Sequence, residues 1–361
     1  MMQTRMLCHT APLHVRRHVK LPGRSLFSVT VTCSLAILLS ISLHAEDQLG
    51  KIKGVTTQNC PPGGIAHGTC KSLTISCPNA SNFRTLVKIN YPVQPPIGTI
   101  IYLVGSGGNG FYDSWFGRNG ATVVSSMLGA GYTAVQVNFE GSTLGWVDGK
   151  LLYKGVRADA CRPATIADWV SRTINVPGNA YCGTGNSGGA GALSYSMAHF
   201  NGPTIFDFIE LTSGPVFSDL LQGCLGGPNV VNACSFSDPV EYARGQAIEF
   251  IDSNYGGSHC SGRDSHYATR FADDSIDSSD ADLYYRNTDV NVLVGQRDTS
   301  PAATAQATLF YEAVKAAGTK ITTSCVPLAP HNIPSTAAGA AQIISDLTNR
   351  CHTQAPAERV R

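Results

Sequence analysis

Between a short strand-like run, Ala180-Tyr181-Cys182, and a helix-compatible run from Ala190 to Phe200 lies Gly185-Asn186-Ser187-Gly188-Gly189. Strand, sharp turn and helix in that order push a serine outward at the end of a parallel strand. Glycines two before and two after Ser187 let the backbone take a strained turn and let the helix pack close to the strand. The pattern by itself arises by chance in a Gly-rich chain, and this one has 37 glycines. The competing reading is a Gly/Ser-rich loop without chemistry.

The neighbouring segments repeat the strand–helix theme. Two strand candidates, Ser72 to Cys77 and Thr85 to Asn90, flank a turn at Pro78-Asn79-Ala80-Ser81 and read as an antiparallel entry pair. Asn79-Ala80-Ser81 is also a glycosylation sequon, meaningful only in a glycosylating host. Thr99 to Val104 is apolar without alternation, as a strand covered on both faces should be. Then follow a helix over Asp113 to Gly131, a strand over Thr133 to Asn138, and a helix from Pro163 to Ile174. After the Ser187 turn come a strand over Phe206 to Leu211, a strand over Val290 to Val294 and a helix over Ala302 to Ala317. A final strand spans Ile321 to Leu328, and a final helix Thr336 to Asn349. Alternation from Thr99 onward predicts one α/β domain with a mostly parallel, doubly covered sheet. The pattern weakens over about 217–288, where three cysteines, many glycines and a helix around Val240 to Ile251 read as an inserted cap.

The first 45 residues carry five basic residues and no acid, followed by an apolar stretch from Leu26 to Leu43 that closes on Ala45. This reads as a signal peptide. An uncleaved membrane anchor competes with it, since a bilayer span takes roughly 17–25 residues, but Ser and Thr interrupt the run. Without the leader, 21 basic residues face 25 acidic ones, and nothing points to a nucleic-acid partner. Residues 46–69 form a loose lead-in, 70–351 the catalytic domain and 352–361 a tail. Ten of the 12 cysteines lie beyond the leader, an even and scattered set that suggests disulfides in an exported, secreted or periplasmic chain. Cys224 with Cys234 is the local pairing expected, and Cys325 with Cys351 would tie the last strand to the last helix. Buried free thiols are the alternative.

On the pentapeptide around Ser187 and its strand–helix setting, the chain resembles the α/β-hydrolase family over about Cys70 to Asn349. The resemblance implies a nucleophile, an acid and a histidine in that chain order. Asp298 ends Gly295-Gln296-Arg297-Asp298 after the strand Val290 to Val294 and matches the acid loop; its competing role is to cap the following helix. Asp280 and Asp289 precede that strand and fit less well. His331, in Ala329-Pro330-His331-Asn332, follows the last strand and matches the general base. It is the one histidine beyond the leader that combines this order with a strand-end loop.

Gly105-Ser106-Gly107-Gly108-Asn109-Gly110 resembles the family's oxyanion loop, although Gly105 stands where the family carries histidine. Backbone N–H groups of Gly188 and of Ser106 or Gly107 would hold the oxyanion. The same glycines match a dinucleotide loop. That reading is weak, because no acid lies about 20 residues on. Asn186, Trp146 and Phe111 are expected against substrate, with Tyr112 and Trp115 near the mouth; packing is the alternative for these aromatics. His259, Cys260, Asp264 and His266 are irregularly spaced for a metal, and no metal or other cofactor is expected.

The function expected is a secreted serine hydrolase that cleaves small or polymeric carboxylic esters through an acyl-enzyme, with no stable membrane association after leader cleavage. Polyester depolymerase and plant-cell-wall aromatic esterase are alternatives within that class. A serine peptidase, an acyltransferase and a non-catalytic binding protein are alternatives beyond it.

Overall fold

In the computed structural model the described residues are 47–140, 144–149, 152–243 and 245–353. The stretch read as a signal peptide and most of the tail therefore lie outside them. Three antiparallel strands lead in: β1 (Lys51–Gln58), β2 (Thr69–Cys77) and β3 (Ala80–Asn90). β4 (Gly98–Leu103) is followed by the short α1 (Tyr112–Trp115) and α2 (Gly117–Gly129). Next come β5 (Tyr132–Asn138), α3 (Val156–Thr173), β6 (Ala180–Asn186), α4 (Gly188–His199) and β7 (Phe208–Thr212).

After β7 the chain makes α5 (Leu220–Leu225), a hairpin of β8 (Val230–Val231) and β9 (Ser237–Asp238), α6 (Gln246–Tyr255) and α7 (Ala268–Asp274). It returns through β10 (Asp289–Gly295), α8 (Ala303–Ala316), β11 (Ile321–Val326) and α9 (Ala337–Arg350).

The main sheet has nine strands in the order β1-β2-β3-β5-β4-β6-β7-β10-β11. β3 meets β5 antiparallel, and every later neighbour is parallel. Alternation along the strands separates two cores. Ile101 and Leu103 of β4 face the core that holds α3, α4 and α8, whereas Ile100 and Tyr102 face the core of α2 and α9. From β4 the chain steps to β5 on one side, and β6 lies on the other side. The carboxyl ends of β4 and β6 therefore flank a topological switch point, where loops diverge and leave a crevice.

Several expectations are corrected. The lead-in contains β1, whose Lys51, Lys53 and Thr residues are mostly exposed, so it is held by pairing with β2 and carries no apolar signal. The helix expected from Pro163 begins at Val156 and carries Pro163 inside it. Proline loses a helical donor there, but the buried Asp159–Arg162 pair at 3.0 Å and the Cys77–Cys161 bridge hold this turn. The helix expected from Val240 starts at Gln246. The helix over 113–131 breaks at Gly117, where φ is +59°.

All ten cysteines among the described residues are paired: Cys60–Cys70, Cys77–Cys161, Cys182–Cys351, Cys224–Cys260 and Cys234–Cys325. Both pairings expected from the sequence are overturned. Val326 of β11 faces the α9 core, so its neighbour Cys325 points to the opposite face, where Cys234 waits; Cys351 shares the α9 core with Cys182. Among the described residues no helix is long and apolar enough to cross a membrane.

Candidate active site

Ser187 sits between β6 and α4 with φ 54° and ψ −114°, a conformation that L-residues rarely adopt. Its N–H donates to the Thr212 carbonyl at the end of β7 (2.8 Å), and its carbonyl accepts from Gly191 (3.0 Å). The turn closes because its glycines permit contacts that no side chain would. A Cβ on Gly185 would lie 2.5 Å from the Gly189 carbonyl, and one on Gly188 would lie 1.9 Å from the Ser106 carbonyl oxygen. The second contact fixes a relation across the switch point: the backbone of the loop after β4 lies against the first residue of α4. Ser106 is itself in the left-handed region, at φ 54°. Gly107 accepts from the Trp146 N–H (2.9 Å) and Gly108 from that of Phe139 (2.9 Å), which pins the loop from below.

Asp298 and His331 come from adjacent strand-end loops that are stitched together. Arg297 donates to the Ala329 carbonyl (2.8 Å) and Gln296 to that of Val326 (3.1 Å), while the Gln296 side chain accepts from the Leu328 N–H (2.9 Å). The Asp298 carboxylate is fully covered, and His331 Nδ1 lies 3.1 and 3.0 Å from its two oxygens. Asp298 also accepts from the Ser300 N–H (2.9 Å), so the turn-capping role considered for it is present alongside the histidine contact.

A cavity of about 270 Å³ opens onto Ser187, Gly188, Ser106 and His331. Its apolar wall includes Trp115, Val216 and Pro301, together with Tyr242 and Phe250 from the segment after β7. Burial, with Asp219 and then Asp277 nearby, keeps the Tyr242 hydroxyl well above its ordinary pKa; it donates to the Val216 carbonyl (2.6 Å) and remains a neutral wall. The site thus offers a hydroxyl, an imidazole backed by a carboxylate, and backbone loops beside one apolar hollow.

Three expected substrate contacts lie elsewhere. Trp146 is buried edge-on against Tyr195 and Phe217. Phe111 packs with Cys70 and Leu86, under the Lys88 ammonium. Asn186 points inward, its carbonyl oxygen accepting from Thr212 Oγ1 (2.8 Å). A loop's place in the chain does not set the direction of each side chain, and none of the three lines the cavity. Gly107 does not line it either; a Cβ there would strike the Leu144 carbonyl at 1.9 Å.

The residues weighed for a metal are otherwise engaged. Cys260 is in a disulfide, and His259 contacts Asp264 at 2.9 Å while stacking on Tyr267. Among the described residues no group of three or more His, Cys, Asp or Glu could hold a metal ion. The sequence reading missed Thr212, Tyr242, Phe250 and Gln246, because no period or motif marks a residue that meets the site only through tertiary folding.

The chain has the α/β-hydrolase fold, on its own strand order and parallel crossovers. No family model matches the sequence, and no curated protein matches it. Among solved structures it is similar to a Pyrobaculum calidifontis esterase, with TM-score 0.47, 16% identity, and 83% of this chain and 86% of that one covered. It is also similar to carboxyl esterase 2 of the mycorrhizal fungus Tuber melanosporum, with TM-score 0.46, 15% identity, and 80% and 89% covered. A dienelactone hydrolase from Anabaena variabilis aligns with TM-score 0.44, 12% identity, and 78% and 96% covered. The activities in those names belong to those proteins.

Proposed function

We propose that this chain is a carboxylic ester hydrolase acting through Ser187, His331 and Asp298. The observation that carries the reading is the shared cavity: a serine held at a strained strand–helix turn and a histidine seated on a covered carboxylate open onto the same hollow. In this reading His331 takes the Ser187 proton through Nε2 as Oγ attacks the ester carbonyl, and Asp298 holds the proton on Nδ1 and stabilises the imidazolium. The oxyanion forms beside the N–H of Gly188 and the backbone of Ser106, and preorganised donors there stabilise it. His331 then protonates the leaving alcohol. Water, deprotonated by the same imidazole, releases the acid and frees Ser187. One water per turnover balances these steps.

The segment from 217 to 288 acts as a cap in this reading, since Tyr242 and Phe250 wall the cavity. Five disulfides favour an oxidising compartment, and hence a secreted or periplasmic enzyme. The test is hydrolysis of p-nitrophenyl acetate by wild type and Ser187→Ala. Loss of at least about 10³-fold in kcat with an unchanged circular dichroism spectrum is expected. Equal turnover by the two proteins would sink the assignment.

A further inference from the structure

Helix α6 touches the loop after β4 at its first residue and, near its last, the segment after β5 that in turn holds that loop. At its first residue, Gln246 Oε1 accepts from Ser106 Oγ at 2.7 Å. Near its last, the buried Asn254 donates from Nδ2 to the Val147 carbonyl, and the Trp146 N–H, one residue earlier, donates to the Gly107 carbonyl at 2.9 Å. The eight steps from Gln246 to Asn254 span about 12 Å at 1.5 Å per residue, which sets these two anchor points well apart.

The helix is fastened from below. Phe250 and Ile251 are in the core, Tyr255 donates from its hydroxyl to Asp274 (2.6 Å), and the Cys224–Cys260 bridge brackets the segment. The loop it grips is strained at Ser106, whose φ of 54° a non-glycine residue holds only when its surroundings impose it. Trp146 and Phe139 grip Gly107 and Gly108 from beneath the loop, whereas Gln246 reaches the Ser106 side chain from the segment after β7, 140 positions away in sequence.

We propose that α6 braces the oxyanion loop and that Gln246 is its positioning residue, setting where the Ser106 backbone stands relative to Gly188. This deepens the ester-hydrolase reading and rests on it for its catalytic consequence. Gln246 lines the cavity, and the role proposed for it is exerted through Ser106. Removing it lets Ser106 relax toward an ordinary conformation, which displaces the oxyanion donors while leaving the apolar wall in place.

The test uses Gln246→Ala, Ser106→Ala, their combination, and Gln246→Glu, whose carboxylate can still accept from Ser106 Oγ. With p-nitrophenyl acetate, Gln246→Ala is expected to lower kcat about 10–100-fold, as a misplacement of about 1 Å does, with KM within about twofold. The double variant should fall no further than the worse single one, and Gln246→Glu should recover most of the loss. Amide hydrogen exchange over 105–110 should be about tenfold faster in Gln246→Ala than in wild type. Unchanged kcat in Gln246→Ala, or additive losses in the double variant, overturns the positioning role. If the wild type turns over no ester, the ester-hydrolase reading fails, and exchange still decides the brace: faster exchange supports it and unchanged exchange overturns it.

Discussion

Asp298 carries two duties with one carboxylate, and they can be separated. Its oxygens face His331 Nδ1 at 3.1 and 3.0 Å, and one of them also accepts from the Ser300 N–H at 2.9 Å. Asn at this position keeps a carbonyl oxygen for Ser300 and turns an N–H toward the imidazole. Nδ1 must then act as acceptor, the ring proton moves to Nε2, and the ring can no longer take a proton from Ser187. A carboxylate that served only the turn would tolerate the change. Asp298→Asn is therefore expected to keep the fold and to lose kcat on the order of 10⁴-fold. Steady-state ester hydrolysis with an unfolding curve checks this; a loss under about tenfold would return Asp298 to a turn cap. The same residue shows what the sequence made legible. Its place at a strand end and its order after Ser187 and before His331 made it the candidate acid, whereas the stitching of its loop to Ala329 and Leu328 is invisible in one dimension.

At the scale of elements, the entry strands are joined to the parallel sheet by a buried ion pair. Lys88 of β3 contacts Asp113 of α1 at 2.7 Å, with 2% and 0% of the side chains exposed, so neither charge is screened by water. The Asp113 carboxylate also accepts from the Gln136 side chain (3.0 Å) and the Ile65 N–H (2.8 Å), which ties the chain before β2 to the same centre. Removing one partner leaves the other charge in the core. Lys88→Met is expected to cost about 3–5 kcal/mol, and Lys88→Met with Asp113→Asn distinctly less, because the stranded carboxylate is then gone. Urea unfolding of the three proteins measures it; a double variant as unstable as the single one would contradict the argument.

Legibility followed burial at this scale. Thr99 to Val104 and Val290 to Val294 stood out because both faces of those strands are covered, so apolar residues run on without alternation, broken in the second only by the buried Asn291. β1 did not, because all its side chains but that of Ile52 face water and it is held chiefly by pairing with β2. The segment from 217 to 288 was recognisable as an insertion and little more. Its order comes from contacts such as Tyr242 Oη to the Val216 carbonyl and from Cys234 reaching Cys325, which have no periodicity to read.

Across the whole molecule, the disulfides distribute their constraint unevenly. Cys182–Cys351 joins the strand that leads into Ser187 to the end of the last helix and closes a loop of 169 residues; Cys60–Cys70 closes one of 10. Each bridge shrinks the ensemble that the unfolded chain can explore, and the effect grows with the logarithm of the loop. The chain-entropy relation gives about 5 kcal/mol for the long loop against about 3 kcal/mol for the short one. Cys182 and Cys351 are both buried whereas Cys60 is only partly so, and the packing lost with the long bridge adds to the same ranking. The double variant Cys182→Ala/Cys351→Ala should therefore unfold at a lower urea concentration than Cys60→Ala/Cys70→Ala, under non-reducing conditions and at equal slope. The consequence reaches the site: Cys182 lies four residues before Asn186 in β6, and β6 aims the Ser187 turn. Loss of the long-range bridge should then lower the temperature at which ester turnover fails by the same interval as the unfolding midpoint. Loss of the short bridge, at the edge of the entry strands, should leave the two temperatures closer to those of wild type. Equal midpoints for the two variants would show that the loops are already compact when unfolded, and would overturn the entropic ranking.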